Sequence, residues 1–96
     1  MELFIFARFH AVAGNENAVR EALSAVVPPS REEAGCLNIH AFCSIRDPGV
    51  FYIHSRWKSQ DAFEYHASLP HTVRFIERVT PLIDHPIEVT RAEMIG

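Results

Sequence analysis

The stretch from Leu3 to Val12 is apolar on both of its faces, and no other part of the chain restricts the fold so sharply. In a strand, successive side chains point to opposite sides of the sheet. Leu3, Ile5, Ala7, Phe9 and Ala11 then share one side, and Phe4, Phe6, Arg8, His10 and Val12 share the other. A strand that is apolar on both sides asks for cover on both. The chain has 96 residues, enough for one domain (residues 1–96) with helices over one side of one sheet. A second copy of the chain is the simplest cover for the remaining side. Size argues the same way, because so short a chain buries only about 60–65% of its unfolded surface and needs a further source of stability.

Disulfides do not supply it. Cys36 and Cys43 are the only cysteines, and on one regular strand they face opposite sides about 23 Å apart. Free thiols predict a cytoplasmic protein. The net charge is −3 and Lys58 is the only lysine, so no basic stripe exists to hold nucleic acid. No basic segment precedes Leu3 to Phe6, so no signal peptide is expected. Nothing approaches the ~20 apolar residues that cross a bilayer, so no membrane partner is expected either.

Gly14-Asn15 ends the first strand, and Asn15 is placed to cap a helix with Glu16 in its first turn. Val19, Ala22, Leu23, Val26 and Val27 recur at helical spacing. Pro28-Pro29 predicts a kink or an end, Ser30 to Ala34 a resumed turn, and Gly35 a C-cap. Cys36 to Ile45 predicts a second strand with irregular alternation. Arg46-Asp47-Pro48-Gly49 predicts a turn in which proline presets φ and glycine permits a positive φ. Val50 to Trp57 completes a hairpin with the second strand. Ser59 is placed to cap the next helix, which runs to about Ser68. Pro70 opens a further helical piece with Val73, Ile76, Val79, Thr80 and Ile83 inward. Pro86 to Glu93 predicts the last strand. The order β-α-β-β-α-β is the split, ferredoxin-like plan of the α+β class. It implies a four-stranded antiparallel sheet with its helices on one face.

Chemistry gathers between Trp57 and His71. Trp57 offers a broad π surface and one N–H donor, and it equally suits a core position closing the sheet–helix layer. His66 is the best-placed base, since imidazole titrates near pH 6.5; a histidine bonded to backbone at the helix break is its plainer role. His71, in the first turn after Pro70, can bind substrate or order the junction. These two histidines are five apart with a proline between them, not the i,i+4 spacing of a helical ligand pair, and no third ligand is evident, so no metal is expected. His40 and His54 lie on paired strands and face either a pocket or a subunit interface. Arg8 among phenylalanines suggests a buried ion pair or an anion site.

Several segments carry a family resemblance when taken together. They are Ala7-Arg8-Phe9-His10 followed by Gly14-Asn15-Glu16, then Pro29-Ser30-Arg31 followed by Glu33-Ala34-Gly35-Cys36-Leu37, then Asp47-Pro48-Gly49. Trp57-Lys58-Ser59, continuing through Ala62 and His66 to Pro70-His71, completes the set. In this order and spacing, over nearly the whole chain, they resemble the antibiotic biosynthesis monooxygenase family of the dimeric α+β barrel superfamily. The resemblance implies a homodimer whose sheets pack face to face. It also implies an oxygenase working without metal, flavin or haem on quinols or anthrone-like aromatics. One departure is that family members commonly place an acidic residue where this chain has His54. The family's haem-degrading branch uses asparagine, tryptophan and histidine where the chain carries Ala7, His66 and Ile76, so haem degradation is not expected.

The expectation is therefore a cofactor-independent monooxygenase acting with O2 on a small quinol-like or polyphenolic aromatic to give a quinone. His66 and Trp57 are the expected catalytic residues. Phe63, His71, Phe75, Ile39, His54 and Arg8 are the expected substrate-binding residues. The rival readings are an isomerase of a small phosphorylated sugar, with Arg8 and Arg56 as its only obvious inner cations, and a non-catalytic small-molecule-binding dimer.

Overall fold

A computed structural model describes residues 1–96. Four strands and three helices follow in the order β1 (Leu3–His10), α1 (Glu16–Arg31), β2 (Cys36–Cys43), β3 (Val50–Trp57), α2 (Gln60–Ser68), α3 (Pro70–Val79) and β4 (Glu88–Ala92), with a 3₁₀ turn at Thr80–Leu82. The sheet order is β2-β3-β1-β4, and every neighbouring pair is antiparallel. This is the expected ferredoxin-like α+β architecture. The helices cover the side carrying Ile5, Ala7 and Phe9, which pack with Val19, Leu23, Val26, Ile53 and Phe75 or lie beside Trp57. Phe4, Phe6, Arg8, Tyr52 and His54 stand on the opposite, open side.

Several local expectations change. Helix α1 runs unbroken through Pro28 and Pro29. The carbonyls these prolines leave without donors belong to Ser24 and Ala25, both exposed, so water can satisfy them. Ser30, fully buried, donates its hydroxyl to the Val26 carbonyl at 2.7 Å and tightens the same turn. Asn15 makes no side-chain cap; Glu16 instead accepts from the Gly14 N–H at 3.0 Å. Gly14, at φ 93°, is the only residue with positive φ, so Gly35 is not a left-handed C-cap and Gly49 does not use that freedom. Gly35 is needed for space, because a Cβ there would stand 2.5 Å from the Ala62 Cβ on α2.

A bulge between Cys36 and Asn38 inserts one extra residue into β2. It shifts the alternation by one, so Cys36 and Cys43 face the same, helix-covered side rather than opposite sides. Both remain free at the two ends of the strand. In α3 the buried residues are Thr72, Phe75 and Val79, not Val73 and Ile76. The helix is turned to set the Phe75 ring edge-on to Phe9, with centroids 5.9 Å apart. The outer strands are shorter than expected, because β2 stops at Cys43 and β4 begins at Glu88.

Candidate active site

The site is built at the break between α2 and α3. Ser59 starts α2 by accepting from the Ala62 N–H at 3.1 Å. Leu69 is extended, at φ −73° and ψ 149°, and Pro70 occupies the first turn of α3. This bend brings the last turn of α2 beside the first turn of α3. His66 and His71 consequently meet on one carboxylate, that of Glu33, just beyond α1.

The Glu33 Oε2 atom lies 2.7 Å from His66 Nδ1 and 2.8 Å from His71 Nε2. An ionised carboxylate only accepts, which assigns the proton of each of these bonds to the imidazole. Thr72 Oγ1 stands 3.3 Å from His66 Nδ1. Nδ1 is thus committed to the protein interior and Nε2 is left free of protein partners. Burial pushes the His66 pKa below its usual 6.5, and the adjacent Glu33 opposes this only in part. The ring is therefore neutral at neutral pH, the form a base requires.

His66 lines an apolar cavity of about 160 Å³ between the sheet and the α2–α3 pair. Twelve of its fifteen lining residues are hydrophobic, Ile39, Phe63 and Phe75 among them, and no lysine or arginine is present. The floor comes from Ile5, Ala7 and Phe9 of β1.

The expected site residues divide into three groups. Ile39, Phe63, His66 and Phe75 come together around the cavity. Trp57 and His71 stand behind it. Trp57 is fully buried, donates its indole N–H to Ser55 Oγ at 2.9 Å, and lies with its ring 4.4 Å from that of His66. It supports the histidine and has no surface on which to stack a substrate. His71 touches Glu33 on one side and borders a groove with Arg74 and Arg78 on the other. Arg8 and His54 form the third group, on the open side of the sheet. Arg8 pairs with Glu88 at 3.0 Å, but at the surface rather than as the buried ion pair expected; the His54 ring lies tilted against that of Phe6, with centroids 4.9 Å apart. Neither reaches the cavity, because their even-numbered positions alternate away from it.

Glu33 was missed by sequence reasoning. It sits in the polar run Arg31-Glu32-Glu33, far in sequence from His66 and His71, and no spacing rule links them. The five-residue spacing does not keep the two histidines apart, because the extended Leu69 breaks the helix on which that rule depends.

Known proteins share this fold and sequence pattern. The family model for antibiotic biosynthesis monooxygenase matches residues 3–78. "Putative monooxygenase Rv0793" of Mycobacterium tuberculosis is 30% identical over 86 residues, which cover 90% of this chain and 84% of that protein. Its solved structure superposes with a TM-score of 0.94 at 26% identity, over 100% of this chain and 97% of that one. "Putative monooxygenase YcnE" of Bacillus subtilis is 28% identical over 82% of each chain. The structure of PA3566 from Pseudomonas aeruginosa gives a TM-score of 0.92 at 28% identity, over 99% of this chain and 95% of that one. With a family match over most of its length and a relative of this similarity, the chain belongs to the antibiotic biosynthesis monooxygenase family.

Proposed function

We propose that the protein is a monooxygenase that oxidises a single-ring, quinol-like phenol to a quinone with O2, using His66 as the base and no cofactor. The observation that carries this reading is the His66 ring, held at Nδ1 by Glu33 and facing an apolar cavity. The cavity volume of about 160 Å³ is close to the ~150 Å³ that accommodates benzene in a protein core, so it has room for one aromatic ring.

His66 Nε2 takes the phenolic proton, which makes the ring a readier electron donor. The phenolate passes one electron to O2, and the two radicals, held together by the walls, combine at a ring carbon. The O–O bond then breaks. One oxygen stays on the ring as the new carbonyl. The other leaves as water, taking up the proton held by His66 and the hydrogen of the attacked carbon. One phenol and one O2 thus give one quinone and one water. Phe63, Phe75 and Ile39 give the radical pair apolar walls. A phosphorylated sugar is disfavoured, because the cavity has no cation, and Arg8 and Arg56 pair with Glu88 and Glu2 on the open side.

The open side has its own proposed partner, a second copy of the chain. Phe6, Phe42 and Tyr52 are 50%, 52% and 41% exposed there, a patch a lone subunit would leave in water. Light scattering should give twice the 10.9 kDa of one chain, and a monomeric mass would end that part of the proposal. Oxygen uptake with a panel of one-ring quinols tests the chemistry. Uptake above background that is lost in His66→Ala supports it; no uptake, or equal uptake in the variant, refutes it.

A further inference from the structure

We propose that Glu33, His66 and His71 also form a binding site for one divalent transition-metal ion of the zinc type. The ligand atoms, one from each residue, lie within 4.8 Å of one another. Bonds of about 2.0–2.2 Å suit both imidazole nitrogen and carboxylate oxygen, so small side-chain shifts bring all three onto one ion. A second observation points the same way. Glu33 Oε1 is buried and has no hydrogen-bond partner, although the Glu33 side chain is only 8% exposed. A buried oxygen without a donor is costly, and a cation beside the carboxylate would satisfy it. Two imidazoles with one carboxylate favour zinc and its neighbours over magnesium or calcium, which prefer oxygen alone.

Metal here would oppose the proposed reaction, a consequence that rests on the function given above. An ion on His66 Nδ1 moves the proton of the neutral ring to Nε2. The face toward the cavity then donates a hydrogen and cannot accept one. Zinc would thus switch the base off without entering the cavity.

Calorimetric titration of zinc chloride into the metal-free full-length chain tests the site. One ion should bind per chain in the wild type and in His85→Ala, which removes a half-exposed histidine paired with Asp84 away from the proposed site. Affinity should fall at least tenfold in Glu33→Gln and in His71→Ala. Glu33→Gln keeps the side-chain volume and an acceptor oxygen, so it decides alone if His71→Ala does not fold. No binding at millimolar zinc, unchanged affinity in Glu33→Gln, or loss of binding in His85→Ala would overturn the site. Zinc that binds but leaves phenol oxidation unchanged would overturn the switch. Absent oxidation by the metal-free protein counts against the proposed function and leaves the binding result standing.

Discussion

Two clusters in this molecule use the same three groups, a carboxylate between two histidines, in opposite surroundings. In the first, Glu33, His66 and His71 have side chains only 8%, 10% and 19% exposed. In the second, Asp84, His10 and His85 are 42%, 33% and 40% exposed. Contact distances barely differ: 2.7 and 2.8 Å in the first, 2.6 and 2.5 Å in the second. The use of the oxygens does differ. Asp84 gives one oxygen to each histidine, whereas Glu33 holds both on Oε2 and leaves Oε1 without a partner. The surroundings then divide the chemistry. Burial lowers the His66 pKa, and an apolar cavity receives its free nitrogen. Around Asp84, hydrogen bonds from His10 and then His85 hold the carboxyl below its usual range, in the manner of a surface ion pair. Residue types alone do not make a reactive site; burial and an adjoining cavity do.

The largest expected contrast is catalytic. With a one-ring quinol as substrate, His66→Ala should lower kcat/KM by about 10²–10⁴-fold, the usual worth of a positioned base. His85→Ala should leave it unchanged. Oxygen-electrode kinetics on both variants check this, and equal losses would erase the distinction between the clusters.

Next in size is Glu33→Gln. The hydrogen bonds from His66 and His71 would lose their charged acceptor, and bonds to charged groups contribute about 1.5–3 kcal/mol each. Chemical denaturation should show a loss of at least about 1.5 kcal/mol. Turnover should fall less than in His66→Ala, because the base itself remains. Glu33 raises the His66 pKa, so its removal should also move the acid limb of kcat/KM to lower pH. A limb that stays in place would show that Glu33 does not act through His66.

These residues show how far the sequence could be read. Strand and helix order was legible because the apolar run of β1, the Pro48-Gly49 turn before β3, the Ser59 cap and Pro70 are local signals. The cavity walls Ile39, Phe63 and Phe75 and the histidine beside them, His66, were legible as apolar and imidazole groups flanking one junction. Glu33 was not, since only tertiary packing brings the end of α1 to the α2–α3 break. The placement of Arg8 and His54 was ambiguous for a different reason. A strand apolar on both faces does not say which face carries the helices, and one residue of register exchanges them. The β2 bulge reversed the cysteine parity in the same way.

The pH dependence of stability should separate the clusters in a third way. His66 in the folded chain has its pKa below 6.5, so the unfolded chain binds its proton first as pH falls. Wherever the unfolded state holds more protons, stability drops with falling pH. Stability should therefore decline below about pH 6.5 and level off once the folded His66 also protonates. Urea midpoints measured across this window should show a shallower decline in His66→Gln than in the wild type. An equal slope would assign the decline to other groups.

The smallest effect is expected at Asp84. Its folded pKa is below the ordinary 3.8, so its contribution is present above that value and fades as pH falls through the folded pKa. Asp84→Asn should lower the melting temperature slightly at neutral pH, and the two proteins should converge in acid. Because His10, Asp84 and His85 all reach solvent, dissolved salt screens them, and the difference should shrink further at about 1 M salt. Glu33→Gln should keep most of its deficit under the same conditions, because Oε2 lies buried between two imidazoles, where dissolved salt screens a charge much less. A salt-sensitive deficit in Glu33→Gln, matched by a salt-insensitive one in Asp84→Asn, would reverse the assignment of the interior and surface clusters.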